Sequence, residues 1–311
     1  LRVQTDTQTR FYEALGAQKL VEIALRTEQY GERSLEATRG LEEAGESAKA
    51  DVLLAVTSYQ QLRVARQQAE ARAEAAWRQL AVMMGRPELA PMPLVGELET
   101  PRRPDDFELL WQRVRSISPE LQAASAGIAR ARARIAREQA TVIPDVDAQL
   151  AIQQDAATNY TVGSAQIGFM LPVHQKNQGA IAAAQAEYCR QVKEYERIEL
   201  DLRDRLVTAV RDAEIAARQV ETYGESIVPA ADEGLSLIRE GYEGGEYNVL
   251  RLVTAQQIYA DSLREYVQAQ TDLQQSLAVL DGVLLTGGLD QPTAPQGVDT
   301  PDSLTDVPKA Q

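Results

Sequence analysis

Few of the 311 residues could carry chemistry, and their isolation is informative. His174 is the only histidine and Cys189 the only cysteine. A metal site or a nucleophile–base pair needs several such groups together, so neither role can be assembled around them. His174 is expected in a loop or interface role, and Cys189 as a small buried or half-buried thiol beside Tyr188. Gly244-Gly245 has no following Lys-Ser/Thr pair and no preceding strand, so it is not a phosphate loop. No nucleophile, base and orienter can be combined, which argues against an enzyme and against any cofactor. The many carboxylates read as solvated faces and i,i+4 partners of Arg and Lys. One pairing is sharper: Asp51 and Arg251 stand just past two similar turns, where an ion pair could tie the turns together. If exposed, it would contribute under about 1 kcal/mol.

The elements that hold these residues are mostly helices. Aromatics make up 5% of the chain, and Ala, Gln, Glu, Arg and Leu dominate, a mixture suited to long helices packed through small residues. A net charge of −14 and a pI near 4.7 argue against a nucleic-acid partner, whose binding needs a strongly basic surface. No run of about 18 apolar residues predicts a membrane-spanning helix. One helix is expected from about Thr5 to Arg39 and another from Ala48 to Met84, ended by Gly85-Arg86-Pro87. Residues 87–104, with five prolines, read as an extended linker. A short helix over Asp105 to Ser116 leads to Ser118-Pro119, a cap and a first-turn proline opening an Ala-rich helix that ends at Pro144.

Residues 145–171 change period. Val146, Ala148, Leu150 and Ile152 alternate with polar residues, and Ala165, Ile167, Phe169 and Leu171 do so again after a polar loop. This predicts a β-hairpin whose strands have about the length needed to cross a bilayer at a tilt. The next helix repeats Ala184, Tyr188, Val192, Tyr195, Ile198, Leu202, Leu206, Ala209, Ala213, Ala216, Val220, Tyr223 and Ile227, close to a coiled-coil period. Continuous from Gln178 to Glu243, it would reach roughly 100 Å, with Pro229 expected to kink or break it.

Shifting the chain by 200 positions superimposes two helix–turn–helix segments. Leu35 falls on Leu235, Glu43 on Glu243, Gly45 on Gly245, Glu46 on Glu246, Ala55 on Ala255, Tyr59 on Tyr259, Gln68 on Gln268 and Leu80 on Leu280. Four segments follow: 1–86, a first-repeat helical hairpin; 87–104, the linker; 105–285, a second repeat with the β-hairpin at 145–171; and 286–311, a disordered tail. Leu1 to Asp6 reads as a helix interior. Projecting the repeat backwards places another strand hairpin about 30 residues upstream of Leu1.

This order resembles the TolC-type outer-membrane efflux family, including its heavy-metal, CzcC-like branch. The resemblance rests on Ser118-Pro119-Glu120-Leu121, on the strand from Val162 to Pro172, and on Gly179-Ala180-Ile181-Ala182-Ala183-Ala184. It rests also on the turn Gly241-Tyr242-Glu243-Gly244-Gly245-Glu246 and its earlier copy at 41–55, and on Met84-Gly85-Arg86-Pro87. It implies a mainly α fold of long antiparallel coiled-coil helical hairpins in two repeats, with one β-hairpin supplying half of a subunit's barrel strands. It further implies a homotrimer, contact with outer-membrane lipid, and partnership with a periplasmic adaptor and an inner-membrane pump. Val146, Leu150, Ile152, Ile167, Phe169 and Leu171 would face the membrane. Gly45, Glu46, Asp51, Gly245, Glu246 and Arg251 would form the adaptor-docking periplasmic mouth. Metal ions and drugs are both open as cargo. The competing reading is a soluble coiled-coil scaffold that never enters a membrane.

Overall fold

The computed structural model describes residues 2–98, 102–143, 145–154, 161–169 and 176–290. Pro144, Leu171, Pro172, His174 and the tail beyond residue 290 lie outside them. Within these limits the elements in chain order are α1 (Arg2–Glu43), α2 (Lys49–Met83), α3 (Phe107–Ile117), α4 (Pro119–Ala140), β1 (Val146–Gln154) and β2 (Thr161–Phe169). There follow α5 (Gln178–Thr222), a π-helical turn (Tyr223–Ile227), α6 (Val228–Glu243) and α7 (Val249–Asp281).

The chain forms two units, Leu1–Pro104 with Ala209–Gln311, and Asp105–Thr208. In the first, α1 packs against α2 and α7, and α6 packs against α7. Helix α1 has little amphipathic asymmetry because it is contacted from two sides. Its buried positions include small residues that let neighbours come close: a Cβ on Gly16 would strike Thr271 of α7, and one on Gly31 would strike Leu62 of α2. Helix α7 buries residues from Val249 to Leu280, whereas α2 buries them only near its two ends, Ala55 and Ser58, then Ala76 to Ala81.

Residues 87–98 form no regular element, as expected of a proline-rich stretch, but they are packed as a strap. Gln18 donates to the Leu94 carbonyl and accepts from its N–H, Trp77 Nε1 donates to the Leu89 carbonyl at 3.1 Å, and Leu98 is buried. Of the stretch expected as a disordered tail, residues 286–290 are described and are ordered by hydrogen bonds. Gly287 to Asp290 make a turn in which the Gly288 N–H donates to Asp6, so backbone hydrogen bonding holds this stretch.

Three local expectations are refined or corrected. The break expected at Pro229 takes the form of a π-helical turn between α5 and α6, through which the helical path continues. The preceding turn widens into a π-helix in which Val228 N–H reaches the Tyr223 carbonyl, so the register changes just before the residue that cannot donate. The inserted residue also rotates the seam: positions from Ala184 to Val220 are buried or half-buried, whereas Ile227 is exposed. Ser118 is not a side-chain cap. It is fully buried between α3 and α4, and its Oγ has no partner among the described residues, so Pro119 alone opens α4. Cys189, one step of about 100° from the seam at Tyr188, is exposed and not buried.

Candidate functional site: a strand hairpin and two matched turns

In the second unit, β1 and β2 pair antiparallel with Val146 opposite Phe169 and Gln154 opposite Thr161. This register brings the two apolar sets onto one face, because Val146, Ala148, Leu150 and Ile152 oppose Phe169, Ile167, Ala165 and Gly163. That face is bare: Leu150 and Ile152 are each 84% exposed and Ile167 75%, and Val146 and Phe169 are exposed as well. The other face carries Asp147, Gln149 and Ala151 opposite Gly168, Gln166 and Ser164, with Gln153 beyond them. Apolar out on one face and polar on the other is the pattern of a strand pair set between lipid and an aqueous interior. Leu171, expected as the last apolar position, lies outside the described residues.

In the first unit, the turns after α1 and α6 are built alike, bond for bond. Glu46 N–H and Ser47 N–H donate to the Leu41 carbonyl, and Glu246 N–H and Tyr247 N–H donate to the Gly241 carbonyl. Gly45 N–H reaches Glu42 and Gly245 N–H reaches Tyr242. Gly45 and Gly245 have φ of 79° and 76°, the left-handed geometry that lets a helix end and reverse. The two turns are neighbours, since Leu35, Ala55, Leu235, Tyr242, Val249, Leu252 and Tyr259 form one buried cluster. Of the repeat-related pairs, Leu35 and Leu235, Ala55 and Ala255, and Leu80 and Leu280 are all buried, while Gln68 and Gln268 are both exposed.

The side chains diverge on this shared backbone. Asp51 accepts from Ser47 Oγ at 3.2 Å and from the Ala48 N–H at 3.4 Å, closing the start of α2 from the inside. At the second turn Asn248 is the cap, accepting from Arg251 N–H at 3.1 Å. Arg251 lies over the Tyr247 ring, 4.9 Å from its centroid, and Tyr247 in turn occupies the space that a side chain on Gly241 would need. Asp51 and Arg251 are thus each engaged locally and, among the described residues, form no ion pair with one another. Gly45, Glu46, Gly245 and Glu246 are exposed at the tips.

One feature at the turns was not singled out from sequence. Tyr242 OH lies 2.8 Å from Thr38 Oγ1, both groups buried, and Thr38 donates to the Ser34 carbonyl at 2.8 Å, leaving Tyr242 as donor. A tyrosine at a position whose repeat partner is Glu42 was the available signal. Nearby, burial first and then Asp232 push the Tyr259 phenol up.

Comparison with known proteins fits this geometry. The family described as Outer membrane efflux protein matches residues 110–284, more than half of the chain. This chain belongs to that family. Among curated members, the cobalt-zinc-cadmium resistance protein CzcC of Cupriavidus metallidurans is 22% identical over 275 residues, covering 88% of this chain and 65% of CzcC. Protein CyaE of Bordetella pertussis is 30% identical over 192 residues, 58% of this chain and 40% of CyaE. The chain therefore spans less than two thirds of the length of these relatives. Among solved structures, the open state of the Neisseria gonorrhoeae MtrE outer membrane channel superimposes with a TM-score of 0.76 at 17% identity, covering 91% of this chain and 66% of MtrE. An outer membrane efflux protein with this fold is mainly α, with helical hairpins and a two-stranded antiparallel hairpin, as the sequence leads one to expect.

Proposed function

We propose that this chain is a subunit of a passive export duct that crosses the outer membrane and periplasm of a Gram-negative-type bacterium. The observation that carries the reading is the bare apolar face of the β1–β2 hairpin. In water it would expose a row of large side chains and two unpaired strand edges; in a closed barrel it meets lipid and no edge remains. A soluble scaffold has no use for such a face. On this reading three copies of the subunit close one barrel, to which the β1–β2 hairpin supplies half of each copy's strands. The helical hairpins form the periplasmic tube, with Gly45, Glu46, Asp51, Gly245, Glu246 and Arg251 around its mouth. There a periplasmic adaptor and an inner-membrane pump deliver cargo. The likeness to a cobalt-zinc-cadmium resistance protein supports metal cations as that cargo, and the net charge of −14 suits a cation path. No catalytic step enters this account.

The test is conductance. Purified protein added to planar lipid bilayers is expected to give discrete, long-lived, cation-preferring steps. Bilayers that stay sealed while the protein is demonstrably bound to them would contradict the duct.

A further inference from the structure

Helix α4 carries an unusual charge pattern for so acidic a chain. From Leu121 to Arg137 it has Arg130, Arg132, Arg134 and Arg137 and no carboxylate. Leu121, Ala124 and Ala131 mark its buried side. The i, i+4, i+7 spacing sets Arg130, Arg134 and Arg137 in one exposed stripe on a flank, with Arg132 on the other flank. Elsewhere in this unit arginines reach carboxylates: Arg190 to Glu187 at 2.7 Å, Arg197 to Glu194 at 2.7 Å, Arg205 to Glu120 at 2.6 Å and Arg115 to Glu199 at 3.3 Å. Arg130, Arg132 and Arg134 make no hydrogen bond or ion pair among the described residues, and Arg137 holds only the adjacent Glu138.

The stripe stands at the foot of the hairpin. Five residues separate Ala140 from Val146, a reach of at most about 20 Å. Val146 and Phe169 are paired, so the start of β1 and the end of β2 lie at the same end. Asn177, following β2, donates to the Glu138 carbonyl and carboxylate, each at 3.0 Å. This bond places the exposed Lys176 level with the end of α4. The same contacts, Arg137 first and then Asn177, hold the Glu138 carboxyl below its ordinary range, so it stays ionised as an internal tie. Against four arginines and Lys176 stand Glu138, Asp145 and, within electrostatic reach of Arg134, Glu187, whose hydrogen bonds go to Arg190 and Gln191.

We infer that Arg130, Arg134, Arg137 and Lys176 form an anchor for the phosphate headgroups of anionic phospholipids in the leaflet at the hairpin's foot. The inference rests on the membrane reading of β1–β2. A protein partner of acidic surface would satisfy the charges equally. Continuity with an apolar face that needs lipid favours headgroups, because long basic side chains flanking an apolar band reach to the interface with their charge. Guanidinium also matches phosphate in a bidentate way.

The test measures partition of the purified chain onto two kinds of vesicle, pure phosphatidylcholine and phosphatidylcholine with phosphatidylglycerol. The chain is expected to prefer the anionic vesicles, a preference that fades with salt. Combining Arg130→Gln, Arg134→Gln, Arg137→Gln and Lys176→Gln should abolish that preference, by about fivefold for each charge near the surface. Binding to pure phosphatidylcholine should not change. Replacing the three arginines by lysine should retain the preference, and circular dichroism should show unchanged helix content. Three results would overturn the anchor: an anionic preference surviving in the glutamine variant, its loss in the lysine variant, or a wild-type chain that binds both vesicles equally. The last would assign the stripe to an acidic protein surface and leave the membrane hairpin standing. A chain that binds neither vesicle would remove the hairpin reading, and the anchor with it.

Discussion

The turn after α1 and the turn after α6 share a backbone and share almost no side-chain solution. Both reverse a long helix through a left-handed glycine with the same four carbonyl contacts. One is closed by Asp51 and Ser47, the other by Asn248, with Tyr247 on Gly241 and Arg251 on Tyr247. The second turn reaches into the other hairpin with a buried hydrogen bond, through Tyr242 and Thr38. The difference teaches that duplication preserves what the chain path requires, a glycine and a register. What the tip presents is free to change. The burial of α7 along its whole length, against that of α2 at its ends, is the same asymmetry on a larger scale.

The largest expected effect breaks that asymmetry at positions 42 and 242. Tyr242→Ala should cost about 3 kcal/mol, since it empties a buried site and strands Thr38, whereas Glu42→Ala should stay within about 0.5 kcal/mol. Denaturant unfolding followed by circular dichroism measures both, and similar losses would mean the two hairpins are packed equivalently after all. Next come the glycines. Gly45→Ala and Gly245→Ala should each cost about 1–2 kcal/mol, because an L side chain is strained at that φ, and the two values should agree within error. Unequal values would show that the shared backbone is not equally demanded.

Smaller effects sharpen the comparison of tips. Tyr242→Phe, which keeps the packing and removes one hydrogen bond, should cost about 1 kcal/mol. At the caps the signs should oppose: Asn248→Ala lowers stability by about 1 kcal/mol, and Ala48→Asn raises it by less, because Asp51 already serves that helix start. The smallest effect is one of pH. Arg190 and then Gln191 draw the Glu187 carboxyl down from 4.5 to about 2. A depressed carboxylate stabilises above its unfolded value and loses that contribution as pH falls from about 4.5 towards 2. Solvent screening makes it slight, and Arg190→Gln should remove this part of the acid dependence.

Much of this was legible because it follows from period and from glycine. The strand alternation at Val146–Ile152 fixed which residues share the bare face, and the 200-residue repeat located both turns and their φ > 0 positions. What escaped depends on partners remote in sequence. Tyr242 meets Thr38 across two helices, and no local pattern at position 242 announces that. The matched positions of Asp51 and Arg251 suggest a pair, but a carboxylate at the third helical position finds the free N–H of its own helix start first. The geometry of Pro229 alone does not announce the wider turn that a long helix can insert before it. Cys189 shows how narrow a seam is, since one residue of offset takes a side chain from half-buried to exposed.

The central claim is that the β1–β2 hairpin lies between lipid and water, and site-by-site accessibility tests it most directly. In a Cys189→Ser background, single cysteines along β1, from Val146 to Gln153, are spin-labelled in the membrane-reconstituted protein. Each is then probed with oxygen, which concentrates in lipid, and with a water-soluble nickel chelate. The account predicts strict alternation: Val146, Ala148, Leu150 and Ile152 reached by oxygen, and Asp147, Gln149, Ala151 and Gln153 reached by the chelate. Uniform access of the chelate to all eight positions would contradict it and return the chain to a helical scaffold with a hairpin in water.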